Sequence, residues 1–222
     1  DKTLSIAQSL YEKKITTYPR TGSRYISEDV FEEIPALLRK IGEALPTPLN
    51  RHSVDNAKIT DHHAIIPTGE TPAGLLADEA TIYNMVVTRF VEAFSPDSKE
   101  ERMQMELTDG TNTFTWKACR PISLGWKAVQ NETKEGKGED EEQDLATLPN
   151  LKEGEELPLL SSEITEHKTK PKPLYTEATL LSAMENAGKE VKEDDKRKAM
   201  AECGIGTPAT RANIIETLIL RD

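Results

Sequence analysis

The first hundred residues carry hydrophobic positions at helical spacing. An apolar face recurs every three or four residues over 3–13, which predicts a helix there. Ser27 is a predicted N-cap followed by a second apolar stripe, and a stronger helix is predicted from about residue 78 to 94. Pro35 lies inside the second stripe, so we expect it to split that stretch into two helical pieces. This region is therefore predicted to be mainly helical.

The pattern changes to a period of two from about residue 101. Alternating apolar positions on both sides of Asp109-Gly110 predict a β-hairpin. Weaker strand patterns occur at 126–129 and 157–160, on either side of the acidic run 132–144, which has the composition of a solvated loop. Helical periodicity returns near residue 176. The second region is therefore predicted to be a small antiparallel β domain.

These changes of period predict an α+β multidomain protein. We expect a helical domain over residues 1–100, part of an antiparallel β domain over 101–172, and the start of a further helical domain over 173–222. In the last region, Thr207 is a predicted N-cap and Pro208 suits the first helical position.

Composition narrows the possible classes of protein. The chain has 222 residues, 36% of them hydrophobic, and no apolar stretch long enough to span a bilayer. Its two cysteines lack metal-site spacing and are expected to be reduced thiols, as in a cytoplasmic protein. The net charge of −11 argues against general affinity for nucleic acid. Any nucleic-acid site must therefore depend on locally placed arginines.

The segment ITTYPRT pairs a phenol with a guanidinium. Tyr18 and Arg20 are two residues apart, so in an extended chain their side chains leave the same face. A phenol that attacks a phosphodiester must lose its proton, and a nearby cation favours this loss and balances charge on the phosphorane. Arg20 is placed for that role. Taken alone, these residues are more typical of a surface Tyr-Pro turn than of a nucleophile.

The segment ITDHHAIIPT contains two of the four histidines. Adjacent rings in an extended chain point to opposite faces, so His62 and His63 make a poor paired metal site. One of the two rings could instead donate a hydrogen bond to a phosphate. A structural histidine that is hydrogen-bonded within the fold is the alternative interpretation.

The segment GIGTPATR joins two glycines to a predicted helix start. The N-terminus of a helix binds anions, and Thr210 and Arg211 follow within one turn. We therefore expect a phosphate cradle here, with an ordinary capped helix as the alternative. A fourth segment, TKPKPLYTEATLL, is a proline-rich connector that leads into a helix and by itself indicates only a domain junction.

In this order, the four segments resemble the type IA DNA topoisomerases, in particular the topoisomerase III branch. The resemblance is carried by TYPRT, DHHAIIPT, TKPKPLYTEATLL and GIGTPATRA, and it covers nearly the whole chain. It implies that Tyr18 attacks DNA to form a 5′-phosphotyrosyl ester, that Arg20 stabilises the reaction, and that His62 assists at the same phosphate. It also implies DNA contacts for six further residues, namely Thr21, Ser23, Arg24, Thr207, Thr210 and Arg211.

Two positions depart from the family pattern. Gly22 stands where aspartate is common, and Leu174 replaces a frequent arginine. The family holds Mg²⁺ in an acidic Toprim domain with a DxD pair, and this chain contains no DxD. We therefore expect a fragment without a metal site, inactive on its own, in which Tyr18 is unusually exposed. The implied partners are single-stranded DNA and a helicase, with no membrane.

Two other classes of function remain as alternatives. Rolling-circle initiators and relaxases also nick DNA through a tyrosine, but they hold their metal with His-apolar-His, and the adjacent pair His62-His63 lacks the intervening residue. A non-catalytic DNA-binding module, with Tyr18 in a structural role, is the second alternative. The absence of a GxxxxGK[ST] loop agrees with a reaction that needs no ATP.

Overall fold

A computed structural model describes residues 2–59, 61–129, 147–190 and 204–221, together with residue 198 and the backbone of 143–144. The chain divides into two compact units. The first consists of the described residues of Asp1–Asp97, Gly125–Glu132 and Tyr175–Asp222, and the second of those in Ser98–Leu124 and Thr133–Leu174. The α+β class is confirmed.

Helix α1 (Lys2–Glu12) packs against helix α3 (Ala77–Phe94). Leu10 of α1 meets Tyr83 of α3 in a small buried cluster. A carboxylate reinforces this packing, since Glu79 of α3 accepts hydrogen bonds from the Ser9 hydroxyl at 2.6 Å and the Lys13 ammonium at 2.5 Å. The first and third helices are therefore joined by both apolar and ionic contacts.

The chain reverses direction directly after α1. Lys14 adopts φ 63, in the left-handed region, and the Ile15 N–H donates to the Leu10 carbonyl at 3.1 Å. The Lys14 N–H donates to the Tyr11 carbonyl at 2.8 Å, so the two bonds close the helix with a Schellman-type turn. This turn directs the following segment back across the end of α1.

Helix α2 (Glu28–Lys40) is continuous through Pro35, so the predicted split is wrong. Ser27 precedes the helix in extended conformation, and its carbonyl accepts the Phe31 N–H at 3.0 Å. Ile34 and Leu38, on either side of the proline, are fully buried. Burial of these two side chains offsets the hydrogen bond that proline removes, and the helix is kept intact by tertiary packing.

The core of the first unit lies between α2, α3 and the segments that precede them. Buried residues from these elements form one cluster: Ile26, Ile34, Leu38, Ile66, Phe90, Val91 and Phe94. Two of its members, Ile26 and Ile66, belong to the segments that carry the tyrosine and histidine motifs. The core therefore fixes both motifs to the same scaffold.

The second unit contains the predicted hairpin, with β1 (Lys99–Thr108) antiparallel to β2 (Thr113–Ser123). Asp109 closes the turn by accepting the N–H groups of Thr111 and Asn112 at 2.8 and 2.7 Å. A short strand β3 (Gln143–Asp144) pairs parallel with β2, so the sheet is not purely antiparallel as expected. The remainder of the predicted acidic loop, 132–142, lies outside the described residues.

The two weaker strand predictions are wrong. Residues 157–160 form no strand, and Gly125–Ala128 form a 3₁₀ helix. Gly125 adopts φ 52, and a Cβ there would lie 2.4 Å from the Asp97 carbonyl oxygen. The Trp126 N–H donates to the Pro96 carbonyl at 2.9 Å, so the chain curls against the end of α3 instead of extending.

The C-terminal region returns to helix. Thr176 caps α4 (Glu177–Glu185) by accepting the Thr179 N–H at 3.2 Å, and a 3₁₀ turn follows at Ala187–Glu190. Helix α5 spans Arg211–Arg221 and so begins three residues later than predicted from Pro208. Within the described part of the chain, no helix is both long and apolar enough to cross a membrane.

Candidate active site

Backbone hydrogen bonds join the tyrosine segment to the histidine segment. The Thr17 N–H donates to the Ile66 carbonyl at 2.9 Å, and the Ile66 N–H donates to the Thr17 hydroxyl oxygen at 2.9 Å. Thr16 and Pro67 form an isolated antiparallel bridge beside them. Two motifs that lie more than forty residues apart in sequence are therefore held side by side.

Tyr18 lies between two other rings. Its ring centroid is 4.6 Å from that of His62, with 47° between the planes, and 5.3 Å from that of Tyr11, at 77°. Both separations are typical of interacting aromatic pairs. These contacts leave Tyr18 half-buried, so the expectation of an unusually exposed tyrosine is wrong.

The two histidines have different neighbours. His62 is exposed and places its ring against Tyr18. Nδ1 of His63 lies 2.7 Å from the carbonyl oxygen of Ala64, so a proton on that nitrogen is donated to the backbone. The two rings therefore have different partners, and His62 is the histidine that could act with Tyr18 on a common group.

Thr21 and Ser23 organise the backbone around the two rings. The Thr21 hydroxyl donates to the His62 carbonyl at 2.8 Å and accepts the Ser23 N–H at 3.1 Å. Ser23 is buried, and its hydroxyl donates to the Lys58 carbonyl at 2.9 Å. The described contacts of Ser23 are therefore structural. Arg24 is exposed, with a guanidinium nitrogen 3.7 Å from a carboxylate oxygen of Glu185.

The glycine-rich turn lies against the tyrosine segment. Nη1 of Arg20 donates to the Ala209 carbonyl at 3.1 Å, across 189 residues of sequence. A Cβ on Gly22 would lie 3.0 Å from Cγ of Pro208. The structure therefore brings the first and third motifs together within one unit. A joint orientation of Arg20 and Tyr18 toward one group stays a prediction.

Hydrogen bonds within the turn itself shape the start of α5. The Thr207 N–H donates to the Thr210 hydroxyl oxygen at 2.9 Å, and Nε of Arg211 donates to the Ile205 carbonyl at 3.0 Å. Gly204 adopts φ 59, and a Cβ there would lie 2.7 Å from the carbonyl oxygens of Met184 and Glu185. The glycine therefore allows close approach of the turn to the end of α4, while both threonine side chains stay exposed.

The chemistry around Tyr18 does not suit Mg²⁺. Its described neighbours contribute phenol and imidazole groups, whereas Mg²⁺ prefers carboxylate and water oxygens in octahedral geometry. Among the described residues, no group of three histidine, cysteine, aspartate or glutamate side chains is placed to hold a metal ion. We therefore assign no step of the chemistry to a metal held by these residues.

Sequence reasoning missed two participants in this site. Tyr11 lies in the stretch 3–13, for which the pattern predicts only an apolar helix face, although its ring contacts Tyr18. The Ala209 carbonyl, which accepts from Arg20, is a backbone group and carries no signal in the sequence. The contact of Tyr11 depends on the left-handed turn at Lys14, and the sequence around Lys14 does not reveal that conformation.

Comparisons with known proteins agree with the resemblance of the motifs. A family model described as DNA topoisomerase matches residues 1–222. The DNA topoisomerase 3 of Bacillus licheniformis is 38% identical over 237 residues, which cover 98% of this chain and 32% of that protein. The DNA topoisomerase 3 of Shouchella clausii is 36% identical over 235 residues.

A solved structure shows the same fold. The full-length topoisomerase I of Thermotoga maritima aligns with a TM-score of 0.59 and 25% identity, covering 99% of this chain and 34% of that one. The chain spans about a third of the length of the curated relatives it matches, 32% for the first of them. Because a family model matches the chain from end to end and its relatives carry the name DNA topoisomerase 3, the chain belongs to the DNA topoisomerase family.

Proposed function

We propose that this chain carries the nucleophile of an ATP-independent type IA DNA topoisomerase, and that Tyr18 is that nucleophile. The main support is the ring contact of 4.6 Å between Tyr18 and His62 in a chain of the DNA topoisomerase family. A phenol beside an imidazole, with a guanidinium two residues away, suits attack on a phosphodiester.

The proposed reaction exchanges one phosphoester for another. The phenolic oxygen of Tyr18 attacks the phosphorus, its proton passes to solvent or a neighbouring base, and the bond from phosphorus to the 3′ oxygen breaks. The 3′ oxygen leaves and takes up a proton, while the 5′ phosphate stays on the tyrosine. After a strand has passed through the break, the 3′-hydroxyl attacks the phosphotyrosine and restores both groups. The number of phosphoester bonds is unchanged, so no nucleotide hydrolysis is required.

Arg20 and His62 would act on the same phosphate. A guanidinium has five N–H donors, and the described bond from Arg20 to Ala209 uses one of them. The remaining donors could stabilise the charge that develops on the phosphorane. His62 is exposed beside the phenol, so its ring could donate to a phosphate oxygen.

Six residues around this centre are proposed to contact DNA. Thr21, Ser23 and Arg24 follow the nucleophile, while Thr207, Thr210 and Arg211 belong to the turn that Arg20 reaches. The hydroxyls of Thr207 and Thr210 lie 3.0 Å apart on an exposed surface, where each could also meet a phosphate. The Ser23 hydroxyl donates to the Lys58 carbonyl, so a DNA contact of Ser23 is supported only by its place in the motif.

The remaining parts of the proposal concern the whole protein. We propose that Mg²⁺ is held outside these residues, that this chain alone does not relax DNA, and that single-stranded DNA is the substrate. A cytoplasmic location and a helicase partner are proposed on the same grounds. The chain spans about a third of its relatives' length, 32% in one case, so these statements describe the full-length protein.

The decisive test is covalent capture of DNA by full-length protein. Single-stranded oligonucleotides labelled at one end or the other would be incubated with wild type and a Tyr18→Phe variant, and the products separated under denaturing conditions. We expect the wild type to retain the label downstream of the break, as a 5′-phosphotyrosyl link requires, and the variant to bind the oligonucleotide without an adduct.

Tyr25→Phe provides a matched control from the same segment, since the partner of the Tyr25 hydroxyl is the Lys58 ammonium, at 3.4 Å. We expect this variant to form the adduct normally. An adduct in Tyr18→Phe would reject Tyr18 as the nucleophile, and an adduct on the upstream label would reject the 5′ polarity.

A further inference from the structure

A polar hollow lies at the end of α3, lined by residues other than those around Tyr18. It has a volume of about 290 Å³ and opens to solvent. Its wall is formed by the last turns of α3, the loop that follows α2 and the 3₁₀ helix, through Asn50, His52, Ser53, Arg89, Glu92, Ala93, Asp97 and Trp126. The proposed DNA chemistry makes no use of this hollow.

Glu92 is the unusual residue in this wall. It is 6% exposed, and its Oε2 accepts from Nη1 of Arg89 at 2.6 Å. Its Oε1 is buried and has no hydrogen-bond partner among the described residues. A buried carboxylate oxygen without a donor is costly, because desolvation is not offset by a hydrogen bond.

A second glutamate on the same helix shows the ordinary arrangement. Glu79 is 4% exposed, and its two oxygens accept from Ser9, Lys13 and the Leu76 N–H at 2.6, 2.5 and 2.9 Å. Helix α3 therefore carries two buried carboxylates, one fully partnered and one half-partnered. Oε1 of Glu92 is therefore a buried acceptor without a donor among the described residues, in the wall of this hollow.

The charges of the wall select a cation. Glu92 and Asp97 contribute two carboxylates, against one guanidinium from Arg89, and Nδ1 of His52 lies 3.6 Å from Oδ1 of Asp97. Asp97 is oriented by the Asn50 amide, which donates to its Oδ1 at 2.7 Å. This balance disfavours a phosphate or another anion.

Trp126 adds a flat aromatic surface to the same wall. A guanidinium stacks on an indole and bonds a carboxylate in the same plane, and a compact ammonium does this less well. The Lys127 ammonium lies 6.0 Å from the Trp126 ring centroid, at the outer limit of a cation–π contact. The indole therefore offers a cation a second kind of contact beside the carboxylates.

We propose that this hollow binds the arginine side chain of a basic protein segment, with the guanidinium against the carboxylates of Glu92 and Asp97 and the Trp126 ring. A free small molecule is a poorer occupant, because well-formed ligand pockets enclose most of their ligand and this hollow is open. A side chain is held from its own backbone and needs less enclosure. The proposal does not depend on the function proposed for Tyr18.

The test uses the 222-residue chain and N-acetyl-arginine amide as the probe. The indole N–H of Trp126 would be followed by ¹H–¹⁵N spectroscopy, with Trp116 of β2 as an internal reference. We expect a saturable shift at Trp126 alone, and at least tenfold weaker binding of the uncharged N-acetyl-citrulline amide. The Glu92→Gln variant should bind the arginine probe at least tenfold more weakly, while Glu106→Gln on β1 should bind it normally.

Three outcomes would overturn the proposal. They are the absence of a saturable shift, equal binding of the two probes, and unchanged binding in Glu92→Gln. A shift caused by cytidine but not by the arginine probe would identify a nucleobase site instead, and would also reject an arginine ligand.

Thermal unfolding gives an independent measurement without any probe. Glu92→Gln also weakens the pair with Arg89, so the comparison is made in an Arg89→Ala background. If Oε1 has no donor, Glu92→Gln should melt there at or above its Arg89→Ala parent, while Glu79→Gln should melt below wild type. A Glu92→Gln variant that melts below that parent would show that Oε1 already has a donor, and would overturn the proposal.

Discussion

The hydroxyl of Thr21 donates a hydrogen bond of 2.8 Å to the backbone carbonyl of His62. Thr21 lies three residues after Tyr18, whose ring the His62 ring contacts. The nucleophile segment therefore holds the backbone of its own histidine partner. The ring contact and the hydrogen bond join the same two segments, so the position of His62 depends on both.

Thr21→Val keeps the shape of the side chain and removes the hydroxyl. We expect a loss of about 1 kcal/mol in the free energy of unfolding, because the His62 carbonyl and the Ser23 N–H both lose a partner. Urea unfolding measures the loss, and the His62 ring signals report its displacement. Thr21→Ser should retain both the wild-type stability and the wild-type His62 ring signals. If Thr21→Val gave the same values as Thr21→Ser, the hydrogen bond would have no role in positioning His62.

Gly22→Asp introduces the residue that is common in the family at this position. The new Cβ would lie 3.0 Å from Cγ of Pro208, so the turn at 207–210 must shift by a few tenths of an ångström. We expect a loss of about 1 kcal/mol, and amide shifts confined to the two segments.

Gly22→Ala separates the steric effect from the charge. Combined with Pro208→Ala, which removes the opposing Cγ, it should regain most of the lost stability. Purely additive losses in the double variant would indicate that the two residues do not press on one another.

Glu79 should make stability depend on acid. Its hydrogen bond from Lys13, followed by those from Ser9 and the Leu76 N–H, lowers the pKa of Glu79 from 4.5 to about 2. A lowered folded-state pKa contributes stability that is fully present above pH 4.5 and is lost as the pH falls toward 2. Glu79→Gln should therefore be less stable than wild type at pH 6, and the difference should shrink at pH 3.

The control for this pH series is Glu106→Gln, at an exposed position of strand β1. Hydrogen bonds from Asn112 and Thr111 also lower the pKa of Asp109 to about 2, so some acid dependence should persist in every variant that retains Asp109. A constant difference between wild type and Glu79→Gln from pH 6 to pH 2 would contradict the assignment.

Pro35→Ala should stabilise the chain. Alanine restores an N–H donor within α2 and removes the clash of the proline ring with the preceding turn, while the unfolded chain gains some freedom. We expect a net gain of about 2 kcal/mol in the free energy of unfolding, read from denaturant midpoints. Pro72→Ala, in an exposed loop, should give no gain in the free energy of unfolding. An equal gain there would show that the effect of Pro35→Ala does not come from the helix.

The pattern of apolar residues predicted the elements that depend mainly on residues close together in the sequence. Periodicity identified α1, α3 and the hairpin to within a few residues, because a helical or alternating apolar face is a property of neighbouring side chains. It failed at Trp126, where a glycine in the left-handed region and a bond to Pro96 bend the chain. It failed at Pro35, where buried neighbours outweigh proline's local preference.

The candidate site shows the same division. Residue chemistry identified Tyr18 and Arg20, and the resemblance to the family selected His62, but the assignment of all three to catalysis stays a prediction. The contact from Arg20 to Ala209 spans 189 residues and ends on a backbone oxygen, so no sequence pattern could indicate it. The partial burial of Tyr18 depends on the left-handed turn at Lys14, which brings the following segment back over Tyr11.

The pairing of Thr16 and Thr17 with Ile66 and Pro67 also affects how the sequence can evolve. Because these short-range bonds tie the two motifs directly together, insertions or deletions at exposed positions such as Gly42–Leu45 can be absorbed without moving the reactive rings. A single residue added between Thr17 and Tyr18 would instead turn the phenol to the other side of its segment. Homologous chains can therefore vary freely in the length of the intervening loop, while the few residues beside the tyrosine must keep their register.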